Sequence, residues 1–98
     1  YERSAKCMNT GIATLLTGID AHRVGPNGGG ADIGPSVRAA NIPSLSLDVD
    51  GSEYFTYHHT PADTIERLNP QDVAKGVATI AVMSYVIADL PERLPSAK

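Results

Sequence analysis

The sequence predicts an α/β fold with mainly parallel strands and a long C-terminal helix. Three observations favour it: a helical stripe of apolar residues near the start, an alternating segment at 42–49, and a long apolar segment at 70–90. Together with short connecting pieces they give the order helix, strand, loop, helix, strand, loop, helix. Strands that are separated by helices are typical of parallel sheets.

The first predicted helix covers residues 1–17. Its apolar residues fall at spacings of three and four, while polar ones such as Asn9 fall elsewhere: Ala5, Met8, Ile12, Leu15, Leu16 and Ile19. This periodicity is that of an amphipathic helix. Gly18 is the expected stop, and a short extended piece follows at 22–24.

A glycine-rich loop occupies residues 25–30 and leads to Asp32. Such a loop is either flexible or lets the backbone approach another group closely. It matches neither the dinucleotide nor the P-loop pattern, which argues against phosphate binding. Asp32 could contact a ligand amine or bond the backbone of its own loop, and the second role is the commoner one. One or two helical turns are expected over 36–40.

The second predicted strand runs over 42–49, where apolar and polar residues alternate and Pro43 comes near the beginning. Asp50 and Gly51 predict a turn. The aromatic segment 54–57 is read as a further extended stretch that leads into His58 and His59.

Two helix starts follow the histidines. Thr60-Pro61-Ala62-Asp63 has the pattern of a capped short turn, and Asn69-Pro70 opens a helix that is expected to reach about Leu90. The segment 77–90 is apolar on nearly every side. A helix without a polar face is buried on more than one side, so we expect part of this surface to pack on other polypeptide or to drive self-association.

Composition narrows the class of protein. With 98 residues and a net charge of −3, the sequence predicts a single domain, 1–98, and argues against nucleic acid as a partner. One cysteine excludes an internal disulfide framework, and no apolar run is long enough for a membrane span. Because the sequence opens inside a helix, we expect it to be a partial domain.

His58 and His59 are the strongest candidates for chemistry. Adjacent residues of an extended chain point to opposite sides, so at most one is expected to face a site. As a metal signal the pair is weak, and partly buried histidines bonded to carboxylates are the commoner case. Asp63 could cap its turn or orient an imidazole.

Several motifs together resemble a known family. They are Gly-Gly-Ala-Asp-Ile, then Ala-Ala-Asn-Ile-Pro-Ser-Leu-Ser-Leu, then Tyr-Phe-Thr-Tyr-His-His-Thr-Pro-Ala-Asp-Thr, and finally Asn-Pro with the long apolar helix. In this order the segment from Gly28 to Leu94 resembles the C-terminal end of co-catalytic di-zinc exopeptidases, in the carboxypeptidase Q-like branch with its related bacterial aminopeptidases.

The resemblance implies roles for particular residues. It makes His59, rather than His58, a zinc ligand, and places Asp63 close enough to steady the ligand loop. It leaves His58 either beside the ligand or in the substrate pocket. It puts Asp32, with Gly29 and Gly30, at the border of the substrate pocket. Ile33 stands where many relatives carry a histidine, and the glycine loop lacks the tyrosine that aminopeptidase-type relatives use to stabilise the transition state.

The function implied is that of a secreted or periplasmic zinc exopeptidase with an αβα fold, which hydrolyses terminal peptide bonds with a metal-activated water. The other ligands of its two zinc ions and the general base are expected upstream, so the 98 residues alone should bind zinc weakly and be inactive. Aminopeptidase, dipeptidase and carboxypeptidase activity all stay open. The alternative is a non-catalytic α/β module that binds another chain through helix 77–90; upstream acidic ligands would decide between them.

Overall fold

Helices make up the regular structure of this protein. The computed structural model describes residues 5–26 and 28–95. Within them lie four α-helices: α1 (Ala5–Ala13), α2 (Gly34–Ala39), α3 (Tyr54–Tyr57) and α4 (Pro70–Ala88). Two 3-10 helices cover Thr14–Ile19 and Ile65–Arg67.

The predicted α/β fold with parallel strands is wrong for this structure, since residues 5–26 and 28–95 contain no β-strand. A strand exists only where a neighbour completes its ladder of backbone hydrogen bonds. The alternating segment 42–49 runs past the glycine loop, but the contact there is a hydrogen bond from the Ser46 hydroxyl to the Gly29 carbonyl. Alternation of apolar residues therefore predicted a strand for which no partner strand is in place.

The first helix is interrupted near its middle. Residues 1–4 of the predicted helix lie outside the described residues; α1 ends at Ala13 and continues as the 3-10 helix to Ile19. The stop is Asp20, whose φ of 57° is left-handed and whose N–H donates to the Thr17 carbonyl at 3.1 Å. A left-handed residue is a common helix ending, and here it comes two residues after the predicted Gly18.

The small core lies on one face of this first segment. Ile12, Ala13 and Leu16 are buried there, and α4 contacts both α1 and the 3-10 helix that follows it. Asn9, expected on the polar side, is only 4% exposed, whereas Leu15 is 65% exposed. The spacing of apolar residues therefore placed Asn9 and Leu15 on the wrong sides of this segment.

The long helix α4 closely matches its prediction. It begins at Pro70, with the Asn69 side chain accepting hydrogen bonds from the N–H groups of Gln71 at 2.8 Å and Asp72 at 3.4 Å. It ends at Ala88, two residues before the expected Leu90. The cap and the proline are local signals, so this helix start could be predicted without knowledge of the packing.

Within this chain α4 is not buried on more than one side, and the expected packing of its remaining surface on other polypeptide stays a prediction. No residue of α4 is fully buried. Gly76, Thr79 and Met83 lie half-buried on one face, and the segment 45–48 crosses that face. A further set of large apolar residues stays exposed: Val73, Val77, Ile80 and Tyr85.

The molecule exposes more surface than a compact protein of its size. Its accessible surface is 8060 Å², whereas a folded protein of 10.3 kDa exposes about 5,400 Å². Its radius of gyration is 15.3 Å, against about 13 Å for a compact chain of 100 residues. The protein thus has a small core and much apolar surface.

Candidate functional site

The two adjacent histidines lie just beyond the end of α3. The segment 54–57, read as extended from the sequence, is one helical turn, and the His58 N–H donates to the Tyr54 carbonyl at 2.9 Å. The chain then turns, with the Thr60 N–H bonded to the Tyr57 carbonyl at 3.0 Å. The candidate histidines are therefore held in a hydrogen-bonded helix ending rather than at the end of a strand.

The prediction that His58 and His59 point to opposite sides is wrong. Their rings stack with centroids 3.7 Å apart and planes inclined by 28°. The cause is the backbone of His59, whose φ is 56°. Opposite directions are a property of extended chain, and a left-handed residue removes that alternation.

Two aromatic side chains of α3 complete this histidine cluster, which consists of Tyr54, Phe55, His58 and His59. The Tyr54 ring stacks on the other face of His58 at a centroid distance of 4.3 Å, and the Phe55 ring meets His58 edge-on at 5.9 Å. Offset-stacked and edge-to-face contacts are the favourable arrangements of aromatic rings. His58 is thereby enclosed on three sides by rings.

The exposure of the two imidazoles differs. His58 is half-buried, and its Nε2 lies 3.5 Å from the Tyr54 hydroxyl. His59 is exposed, and within residues 5–26 and 28–95 its ring nitrogens have no hydrogen bond or ion pair. The alternative of histidines bonded to carboxylates is thus not what this part of the chain forms, and His59 keeps its nitrogens available.

Asp63 lies in the turn that follows the histidines. Its N–H donates to the Thr60 carbonyl at 3.0 Å, and the Thr60 hydroxyl accepts from the Ala62 N–H at 3.3 Å. These bonds form the short turn that the sequence predicts. The Asp63 carboxylate is exposed, and no hydrogen bond or ion pair joins it to His59 in the described residues.

The glycine loop and Asp32 form a separate region. Gly29 has a φ of 85°, a conformation that suits glycine, and it faces residues 44–46. The Gly30 carbonyl accepts from the Gly34 N–H at 2.7 Å, closing the turn that holds the exposed Asp32. Among the described residues, no hydrogen bond, ion pair or ring contact joins these residues to the histidine cluster.

An open groove of about 940 Å³ lies beside the glycine loop. It runs between residues 23–26, residues 45–48 and the face of α4 that carries Thr79 and Met83. Gly29 is the one candidate residue that lines it, so the groove and the histidine cluster are different places on the molecule.

The donor chemistry fits a zinc ion in part. A solvent-accessible imidazole with free nitrogens is a good zinc ligand, and His59 provides one. In the described part of the chain, however, no three histidine, cysteine or carboxylate side chains lie close enough to hold a metal together. Since zinc takes three or four protein ligands, His59 could serve only as one member of a larger set.

Curated proteins give clear sequence matches. Carboxypeptidase Q from Mus musculus and from Homo sapiens are each 34% identical to the chain over 91 residues, and that from Bos taurus is 35% identical over the same length. The chain is a homologue of carboxypeptidase Q and belongs to the carboxypeptidase Q-like family. The match covers 93% of the chain, and the chain spans 19% of the length of these relatives.

This carboxypeptidase Q-like chain matches neither a protein-family model nor a solved structure. None of the helices in its described residues combines the length and the apolar character that crossing a membrane requires. The family that the motifs resemble is confirmed, while the roles of individual residues stay predictions.

Sequence reasoning missed the aromatic half of the histidine cluster. The signal was present, because Tyr54 and His58 are four residues apart and such pairs face each other on a helix. The interpretation of 54–57 as extended chain meant that this helical spacing was not used. The left-handed backbone of His59 had only a weak signal, the tolerance of histidine for that conformation.

Proposed function

We propose that this chain supplies one zinc ligand, the imidazole of His59, to a zinc-dependent exopeptidase. The observation that carries the proposal is an exposed imidazole with free nitrogens, at the position where the His-Thr-x-x-Asp-Thr motif of the resembling family has its ligand. Support comes from the similarity to carboxypeptidase Q over 93% of the chain. A zinc ion bound there would polarise the carbonyl of the substrate and activate a water for peptide hydrolysis.

The other candidate residues take supporting roles in this proposal. Asp63 follows His59 by four residues, and its turn fixes the path of the chain just after the ligand. Asp32, Gly29 and Gly30 border the substrate, which a loop without bulky side chains can approach closely. The remaining ligands and the general base come from outside these 98 residues, so the isolated chain binds zinc weakly and hydrolyses nothing.

The substrates we propose are peptides, cleaved at a chain terminus by a secreted or periplasmic protein. The name of the carboxypeptidase Q relatives favours cleavage at the carboxyl end, and aminopeptidase and dipeptidase activity are the alternatives. Three substrate sets distinguish these activities: peptides blocked at the amino end, peptides blocked at the carboxyl end, and dipeptides with both ends free. Cleavage of none of the three by the zinc-loaded protein that carries this chain would contradict a peptidase.

The role of His59 has its own test. His59→Ala in that protein should lower hydrolysis by more than the roughly 10- to 100-fold that the loss of an outer partner of a ligand costs. His22→Ala is the matched control, since it also removes an imidazole but lies beside Asp20, its closest charged partner at 3.8 Å. Equal activity of the two variants would exclude His59 as a ligand.

A non-catalytic interaction module is the second candidate, favoured by the exposed apolar residues of α4. Val77 and Ile80 are 62% and 54% exposed on the helix surface. In this alternative α4 binds another chain, or a second copy, and His59 is unimportant. Replacing both residues by Ser should then abolish association, as measured by sedimentation, while His59→Ala leaves it unchanged.

A further inference from the structure

We propose that His58 is a positioning residue that fixes the ring plane of His59, and that it does so by stacking rather than through its nitrogens. The inference rests on the proposed function, in which His59 is a metal ligand. The role assigned to His58 requires contact with neither the metal nor the substrate.

The first step concerns which part of His59 the stack covers. With ring centroids 3.7 Å apart and planes inclined by 28°, His58 covers a face of the His59 ring. Both ring nitrogens lie on the edge, and a metal is bound in the plane of the ring. The stack therefore restricts the rotation of His59 while it leaves the bonding edge free.

The second step concerns what holds His58 itself. Tyr54 stacks on its other face at 4.3 Å, with the planes inclined by 27°, and Phe55 meets it edge-on at 5.9 Å. Phe55 and Tyr54 also contact each other edge-on at 5.0 Å. Tyr54 and Phe55 belong to α3. The orientation of the His59 ring therefore depends, through His58, on the position of that helix.

The third step concerns the usual way in which a ligand histidine is oriented. A hydrogen bond from the second ring nitrogen to a carboxylate or carbonyl commonly does this. In residues 5–26 and 28–95, His59 makes no such bond. Instead, its ring stacks on that of His58.

The fourth step is the backbone of His59. A φ of 56° is unfavourable for a residue with a side chain, and here it is what brings the ring back over His58. Strained backbone persists where the surroundings hold it and is concentrated at functional sites. The geometry thus favours one arrangement of the two rings.

The test is the zinc dissociation constant of the protein that carries this chain, measured by competition with a chelator. Aromatic contacts of this kind correspond to about a two- to tenfold change in affinity. We expect His58→Ala to weaken zinc binding by that factor and His58→Phe, which keeps the stack but has no nitrogen, to restore it. Tyr54→Ala should act in the same direction as His58→Ala.

Two outcomes would overturn the inference. If His58→Phe is as weak as His58→Ala, then His58 acts through its nitrogens; if neither variant changes the affinity, the stack does not position the ligand. An unchanged affinity in His59→Ala is a separate result, which contradicts the proposed function. NMR spectra of labelled histidine provide a readout without metal: the His59 ring protons should shift in His58→Ala, and an unchanged spectrum would show that the stack does not exist.

Discussion

The rings of His58 and His59 stack face to face at 3.7 Å although the two residues are adjacent in the chain. This contact is possible because the backbone of His59 is left-handed, with a φ of 56°. His59, the residue with the unfavourable backbone, thereby contacts the aromatic side chains of α3 through His58. The edge of its imidazole stays exposed. The proposed zinc ligand and its orientation both depend on it.

The backbone at His59 gives a prediction about stability. His59→Gly should keep the unfolding free energy or raise it, because glycine adopts the left-handed region without cost. His59→Val should lower it by about 1–2 kcal/mol, since a branched side chain is unfavourable there. Urea unfolding measures both.

The control for this pair is His59→Asn, which also removes the stack on His58. Asparagine tolerates the left-handed region better than other residues that carry a side chain. A loss of stability as large in His59→Asn as in His59→Val would contradict the backbone explanation.

The glycine loop gives a second matched pair of variants. Gly29 has a φ of 85°, and an added Cβ would lie 3.3 Å from the Ser44 hydroxyl oxygen, whereas an added Cβ at Gly30 meets nothing within 4 Å. Gly29→Ala should therefore cost about 1–2 kcal/mol of unfolding free energy, and Gly30→Ala should cost little. Equal thermal stability of the two variants would show that the loop does not require this conformation.

The start of α4 depends on a side chain outside the helix. Because the side-chain Oδ1 of Asn69 accepts from the N–H groups of Gln71 and Asp72, Asn69→Ala should lower the unfolding free energy by about 1 kcal/mol. Asn69→Asp keeps the acceptor and should preserve stability. If Asn69→Asp loses as much as Asn69→Ala in urea unfolding, the cap is not what stabilises this end.

The turn before α3 is sensitive to acid. The Ser52 N–H donates to the Asp50 carboxylate at 3.0 Å, and this bond, with a further one to the Ser52 side chain, lowers the pKa of Asp50. A lowered pKa in the folded state means that the contribution to stability is present above the usual pKa of aspartate and is lost as pH falls through the lowered value.

Two variants of Ser52 distinguish how much each of its two hydrogen bonds lowers the pKa of Asp50. Ser52→Pro removes the N–H and should return the pKa of Asp50 most of the way to its usual range, while Ser52→Ala keeps the N–H and should raise the pKa less. Carboxyl chemical shifts followed by NMR through the acid range measure both. The same pKa in wild type and in Ser52→Pro would contradict the assigned cause.

How much the sequence could predict depended on whether the signal was local. Asn69-Pro70 predicted the start of α4, and Thr60-Pro61 the turn after the histidines, because the bonds that form them lie within a few residues. The strand expected at 42–49 depends on a partner elsewhere in a sheet, which alternation cannot supply. The α/β prediction was wrong for that reason.

The same distinction between local and non-local signals applies to the candidate site. The motif around His59 predicted the family, which the similarity to carboxypeptidase Q confirms. The stack of Tyr54, His58 and His59 depends on one helical turn at 54–57 and one left-handed residue. Four aromatic or β-branched residues in a row favour a strand on propensity, and the local helical bonds overcame that preference.

The most direct measurement of the central claim is anomalous diffraction at the zinc edge, on crystals of the zinc-loaded protein that carries this chain. We expect an anomalous peak about 2.0–2.1 Å from a ring nitrogen of His59, in the plane of its imidazole. Zinc peaks that are all beyond bonding distance of His59, or one bonded to His58 instead, would contradict it.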